Sequence, residues 1–263
     1  MQNIIKALQY QTKRDNVTYY AFFALILGYL LVFSDFNGAL NLTGSEYFSY
    51  SQATFCIPVV MFIIIITTRI CGWDYADKTM NYEILIGHNR KEVFFSRIWV
   101  SFLWCMPIAV LGFILPPFVL SLINGWGIRM DMGDMILRCA LSILVIFRMY
   151  CECVLLTFLT KSCYIGLLVS FLFIEMGGTV PMWLEEIGGI KVGNFVTAFS
   201  MANFVDLVTP VKYGWEYING KDEMVFDMTV DPSFAAATII VSLVAGIGCI
   251  LISYLYFRKS DMK

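Results

Sequence analysis

Six long apolar runs divide this chain, near Val17 to Phe33, Ser51 to Ile70, Ile98 to Ile123, Met135 to Leu159, Tyr164 to Trp183 and Phe234 to Phe257. Each approaches or exceeds the roughly 20 residues that a helix needs to cross about 30 Å of hydrocarbon. They predict six membrane-spanning helices and an all-α membrane protein. Between the second and third runs lies a polar stretch, Thr67 to Arg97, which carries Asp74, Asp77, Lys78, Glu83, Arg90, Lys91, Glu92 and Arg97. Within it Trp73, Ala76, Met80 and Ile84 recur at spacings of three and four, which predicts a helix with one apolar side. Gly87 predicts its stop. Asn89 followed three residues later by Glu92 predicts a capping box that opens the next helix. An amphipathic connector lying on the lipid surface would show the same spacing.

The remaining pattern completes one transmembrane domain over residues 1–263. Ile4, Ile5 and Leu8 oppose Lys6, Gln9 and Lys13, which predicts a short interfacial helix within residues 1–16. Residues 71–97 form the inner loop and residues 184–233 a long outer segment. The outer segment contains Gly188-Gly189, then a moderately apolar stretch from Val192 to Val208 broken by Asn194, Asn203 and Asp206, then a hydrophilic run from Trp215 to Asp231. So interrupted a stretch predicts a re-entrant or interface-lying element between spans five and six rather than a seventh span. Pro107 and Pro116-Pro117 fall inside the third run, where they predict kinks.

Composition agrees with the pattern. The chain is 59% hydrophobic and 14% charged, with a mean hydropathy of +0.73, against about a quarter charged in soluble domains. Basic residues set the orientation, because they are retained on the cytoplasmic side. With a cytoplasmic N-terminus, twelve of the 18 Lys and Arg residues fall in inner segments, whereas only Arg129, Lys191, Lys212 and Lys221 fall outside. Both termini are therefore expected in the cytoplasm. The net charge of -2 sums over two compartments and reports on no partner, and no basic patch points to nucleic acid.

Catalytic inventory is thin. The eight cysteines fall in the apolar runs or at their inner ends, so no outer disulfide framework is available. Cys151-Glu152-Cys153 resembles a metal clip, but the single histidine, His88, lies in the inner loop and cannot join it; no metal site and no enzyme chemistry is expected. Charges inside the spans remain as candidates, because they are costly in a bilayer. Arg148 and Glu152 stand one turn apart, Arg138 lies nearer the outer end of the same run, and Glu175 lies in the fifth. Arg148 and Glu152 can neutralise each other, which predicts that exchanging the two charges is tolerated; the alternative is a polar lining for a translocation path.

Six spans, cytoplasmic termini, an interfacial N-terminal helix, a polar helical loop after the second span and a long outer segment together resemble the permease subunits of ABC-2 type transporters. The loop carries the sharper likeness. In that family an acidic residue precedes a Gly-Thr pair, an apolar stretch follows, then a small or polar residue before Arg, and a basic residue seven positions on. Here the run is Asp77-Lys78-Thr79-Met80-Asn81-Tyr82-Glu83-Ile84-Leu85-Ile86-Gly87-His88-Asn89-Arg90, followed by Arg97, with Lys78 in place of Gly and Asn89 in place of Ser or Thr. The resemblance implies a multi-pass protein of a bacterial cell membrane, in which a coupling helix docks on a separate cytoplasmic ATPase through Trp73, Asp77, Thr79, Met80, Glu83, Ile84, Gly87 and Arg90. It also implies a second permease chain, identical or not, ATP and Mg bound by the ATPase rather than by this chain, and export. The small size resembles permeases of bacteriocin or lantibiotic immunity and bacitracin or multidrug resistance, which expel amphipathic peptides. The residues alone also suit a membrane-embedded sensory or binding protein that recruits a cytoplasmic partner without transport.

Overall fold

A computed structural model describes residues 1–35, 43–50, 52–76, 79–127, 131–186, 198, 204, 207, 212–218, 221–227 and 230–259. The helices are α1 (Gln2–Arg14), α2 (Asn16–Asp35), α3 (Gly44–Tyr50), α4 (Gln52–Ala76), α5 (Thr79–Leu85), α6 (Arg90–Asn124), α7 (Met132–Thr160), α8 (Cys163–Glu186) and α9 (Pro232–Lys259). Among the described residues, four stretches are long and apolar enough to cross a membrane: Cys56–Tyr75 within α4, and the whole of α6, α7 and α9. Helices α2 and α8 run for 20 and 24 residues, with shorter described apolar stretches at Asn16–Gly28 and Cys163–Ile174.

Local chemistry sets the ends. Helix α1 buries Ile4, Leu8 and Thr12 while its basic last turn, Lys13 and Arg14, suits the negative end of the helix dipole. Asp131 caps α7 by accepting the Gly133 N–H at 3.1 Å. At the start of α9, Asp231 accepts both the N–H and the hydroxyl of Ser233, at 3.0 and 2.8 Å, and Pro232 takes the first helical position, where no N–H is needed.

Packing follows residue size. Helix α9 lies along α7 through small buried positions, Ala237, Thr238, Ser242, Gly246 and Ser253, which let two helices approach closely in a membrane. Its other side exposes Val244, Ile247, Leu251 and Ile252, the apolar surface that lipid would cover. Helix α6 passes through Pro107, Pro116 and Pro117 as one helix of 35 residues, roughly 52 Å at 1.5 Å per residue. That exceeds the roughly 30 Å hydrocarbon thickness, and its first two turns meet α5 through Arg97.

Two expectations change here. Helix α4 continues to Ala76, and α5 is a separate short helix, so Trp73 and Ala76 lie on a different element from Met80 and Ile84. Outside the all-helical membrane part, the outer segment also holds an antiparallel hairpin, β1 (Lys212–Ile218) paired with β2 (Lys221–Asp227), in the register Lys212↔Asp227 to Ile218↔Lys221. The sequence between the strands is Asn219-Gly220, a strong two-residue hairpin signal inside the hydrophilic run. Most of Val192 to Val208 lies outside the described residues. Ala198, Phe204 and Leu207 are described, and all three are fully buried.

Candidate functional site

The inner loop is built around one arginine. Arg97, on the second turn of α6, is 0% exposed. Its Nε and Nη2 donate to Oδ2 of Asp74 at 3.0 and 2.5 Å, and its Nη1 donates to Oε2 of Glu83 at 2.8 Å and to the Val93 carbonyl at 3.3 Å. One guanidinium thus joins the end of α4, the short helix α5 and the start of α6. A buried charge is tolerable only when paired and hydrogen-bonded, and the fork geometry of arginine reaches carboxylates on two elements at once. Because all three elements meet at that group, α5 cannot shift without disturbing both flanking helices.

The helix stop is as predicted. Gly87 has a φ of +106°, the Gly87 N–H donates to the Ile84 carbonyl at 3.0 Å and the His88 N–H to the Glu83 carbonyl at 3.1 Å. This is the Schellman pattern, in which a glycine adopts the left-handed turn at least cost. Asn89 is the N-cap of α6, but its side chain makes no capping bond. Instead of closing a capping box, Glu92 lies 3.7 Å from His88 Nδ1 and 3.7 Å from the terminal amine of Met1.

The expected docking residues that are described are engaged within the protein. Met80 is 1% exposed, and Ile84 packs against the core. Trp73 lies beneath Arg69, whose guanidinium sits 3.5 Å from the ring, and Thr79 donates to the Asp74 carbonyl at 3.4 Å. Glu83 is engaged by Arg97, and Arg90 donates to the Arg258 carbonyl of α9 at 2.8 Å. These residues hold the loop in place. Asp77 lies outside the described residues. The apolar side chains turned to solvent are others: Tyr82, Leu85 and Ile86, at 62%, 79% and 80% exposure, beside Gly87. The spacing grouped Met80 with Ile84 on one side of α5, and that side is turned inward.

Two further contacts tie the loop to the bundle. Gly72 lets α4 lie against the α7–α8 junction, since a Cβ there would sit 2.8 Å from Thr157 Cγ2 and 3.0 Å from Cys163 Cα. Arg69 donates from Nε and Nη2 to the two carboxylate oxygens of Asp15 at 2.7 and 2.8 Å, joining α4 to the link between α1 and α2. Burial pushes the Asp15 carboxyl up, but the Arg69 hydrogen bonds and charge outweigh it, so the group is held below its ordinary value of 3.8. A carboxyl lowered by folding stabilises at pH above its unfolded value and loses that contribution as pH falls through the folded one. The melting advantage of the wild type over Asp15→Asn is therefore expected to be constant near neutrality and to shrink only below about pH 4. An advantage that already fades between pH 7 and 5 would contradict the assignment.

Inside the bundle, Arg148 Nε lies 3.2 Å from Glu152 Oε1, and Arg148 Nη1 also donates to the Ala198 carbonyl. Arg138 Nη1 donates to the Leu207 carbonyl at 3.1 Å. The side chain of Glu175, on α8, lies outside the described residues. Backbone carbonyls have no sequence signature, so nothing in the chain's pattern pointed to these acceptors. They alter one expectation. Exchanging the charges of Arg148 and Glu152 would set a carboxylate against the Ala198 carbonyl where a donor stood. Single neutralisation of either residue is expected to lower the yield of monodisperse protein, and the exchanged double variant is expected not to restore it. Recovery by the exchange would show that the Ala198 contact contributes little.

A family model described as ABC-2 family transporter protein matches residues 9–177. The matched span includes the Asp74, Glu83 and Arg97 cluster and the Arg148 and Glu152 pair, and stops before the outer segment. No curated protein matches the chain.

Proposed function

This chain belongs to the ABC-2 family of transporter proteins, and from that premise we propose that it couples ATP hydrolysis by a separate cytoplasmic subunit to export of an amphipathic molecule. It is a multi-pass membrane protein and the permease component of an ABC transporter. In the proposed reading the ATPase docks on Tyr82, Leu85 and Ile86. The observation that carries this reading is the pairing of that exposed apolar tip with the buried Arg97 cluster behind it. Exposed apolar side chains on a short helix held clear of the lipid suit a protein partner. A push on α5 passes through Arg97 into α4 and α6 together, and through Arg90 to the end of α9. Movement of a partner on ATP binding would so become a rigid displacement of spans, a shear or hinge motion of the usual kind.

The active transporter would contain two permease chains and two ATPases, with ATP and Mg held by the latter. A bacteriocin, lantibiotic or similar peptide suits an exporter of this size. Six spans with both termini cytoplasmic complete the proposal. With native cysteines replaced, a reporter at Lys221 is expected to label from outside the cell and one at Lys259 only from inside. Labelling of both from one side would overturn the topology. The transport claim is tested in proteoliposomes containing the chain and the ATPase that co-purifies with it. ATP is expected to drive a fluorescent amphipathic peptide across the membrane; hydrolysis without movement would favour a sensory complex.

A further inference from the structure

A cavity of about 380 Å³ opens between α1, the α1–α2 link and the inner end of α4, within the size range of small-ligand sites. Its rim is exposed at Gln11 and Arg14, and its floor is buried at Ile70 and Asp74. The charges around it are unevenly committed. Asp15 and Arg69 satisfy each other. Arg14 lies over the Tyr10 ring at 4.5 Å, and among the described residues no carboxylate pairs with it. On the floor, both Arg97 bonds go to Oδ2 of Asp74, and among the described residues none goes to Oδ1, although the Asp74 side chain is only 6% exposed. The cavity therefore presents a cation at its mouth and an acceptor in its depth.

The geometry points to a phospholipid headgroup of the inner leaflet with a primary ammonium and a phosphodiester, the ethanolamine type, as the occupant. Position favours a lipid. Helix α1 is amphipathic with a basic last turn, the character of helices that lie in the membrane interface, and Tyr19 and Tyr20 beside the cavity are exposed at 60% and 70%, as aromatic side chains are at membrane interfaces. Polarity favours this headgroup. Asp74 lies one and a half turns beyond Arg69, roughly 7 Å nearer the cytoplasm at 1.5 Å per residue. A lipid of that leaflet holds its phosphate toward the membrane, level with Arg14, and its ammonium beyond it, toward Asp74. A primary ammonium donates to a carboxylate oxygen; a trimethylated one cannot, and the face of Trp73 that could have received it is covered by Arg69. Because Asp74 also belongs to the Arg97 cluster, occupancy would stiffen the seat of α5. That consequence rests on the coupling reading, whereas binding is measured on the chain alone.

The test is native mass spectrometry of the full-length chain released from micelles holding equal amounts of ethanolamine, choline and glycerol phospholipids with identical acyl chains. The ethanolamine lipid is expected to be retained about tenfold over the choline lipid, the margin of one charge-assisted hydrogen bond. Gln11→Trp, which fills the cavity without changing charge, is expected to abolish that preference, whereas Arg14→Gln is expected to lower retention of all three lipids alike, through the phosphate they share, with the melting temperature of each variant within a few degrees of the wild type. Equal retention of the three lipids by the wild type, or a preference unchanged in Gln11→Trp, would overturn the proposal. Displacement by equimolar soluble glycerophosphoethanolamine would keep the headgroup chemistry but overturn the assignment to a lipid. A lipid preference that behaves as expected in a chain that binds no ATPase would leave this site standing while the coupling reading fell.

Discussion

Arg97→Leu is expected to cost the folded chain about 3–5 kcal/mol, the range for breaking a buried ion pair by removing one partner. The loss comes from what remains. Asp74, with a side chain 6% exposed, would keep a buried charge without its counter-ion, and Glu83, at 26%, would lose its only link to α6 among the described residues. Glu83 can turn to water, so most of the cost falls on Asp74. Arg97→Lys should recover only part of it, since an ammonium keeps the charge but not the fork that reaches two carboxylates. The combined change Asp74→Leu with Arg97→Leu should recover more, because an apolar replacement of a buried pair is often neutral. Thermal melting in detergent measures all three, and limited proteolysis between Ala76 and Gly87 reports whether α5 has come loose. A wild-type melting temperature and cleavage pattern in Arg97→Leu would mean that the cluster does not hold the loop.

Leu85→Asp with Ile86→Asp is expected to have the opposite profile: an unchanged melting temperature and a lost partner. Both side chains are about four-fifths exposed, so an aspartate there removes no packing within the chain. At the centre of an interface each would bury a charge against an apolar pocket, at about 2 kcal/mol or more per position. Together they should weaken ATPase binding on the order of a thousandfold. Met80→Asp provides the contrast. Met80 is 1% exposed, so a charge there should destabilise the fold first and lose the partner only as a consequence. If Met80→Asp lost the ATPase without loss of stability while the tip variant kept it, the docking face would be the buried one and the orientation of α5 would be wrong.

Much of this arrangement was legible because it is local. Apolar runs marked the four long apolar helices, Gly87 stopped a helix because the left-handed turn needs a glycine, and Asn89 marked the next start. What escaped was long-range or directional. Periodicity grouped Met80 with Ile84 but could not say whether their side faced the bundle or a partner. Arg97 was visible as a basic residue at a family spacing, yet its partners lie on two other helices, and neither carboxylate is at helical spacing from it. Asp15 and Arg69 meet across 54 positions of chain, a distance over which neither residue type nor pattern carries a signal. For the arginines of α7 the chain's pattern offers only the charge nearest in sequence, Glu152. The structure gives them backbone carbonyls as well, which any segment of any sequence could have supplied.

The central claim is that the tip of α5 is where an ATPase meets this permease, and a photo-crosslinking amino acid at Leu85 tests it most directly. In membranes containing the chain and the ATPase that co-purifies with it, irradiation is predicted to join position 85 to a polypeptide that is itself labelled by an azido analogue of ATP. The same group at Leu111, exposed on the apolar flank of α6, should yield lipid adducts alone. Lipid adducts at both positions, from folded protein and in the presence of the ATPase, would contradict the account.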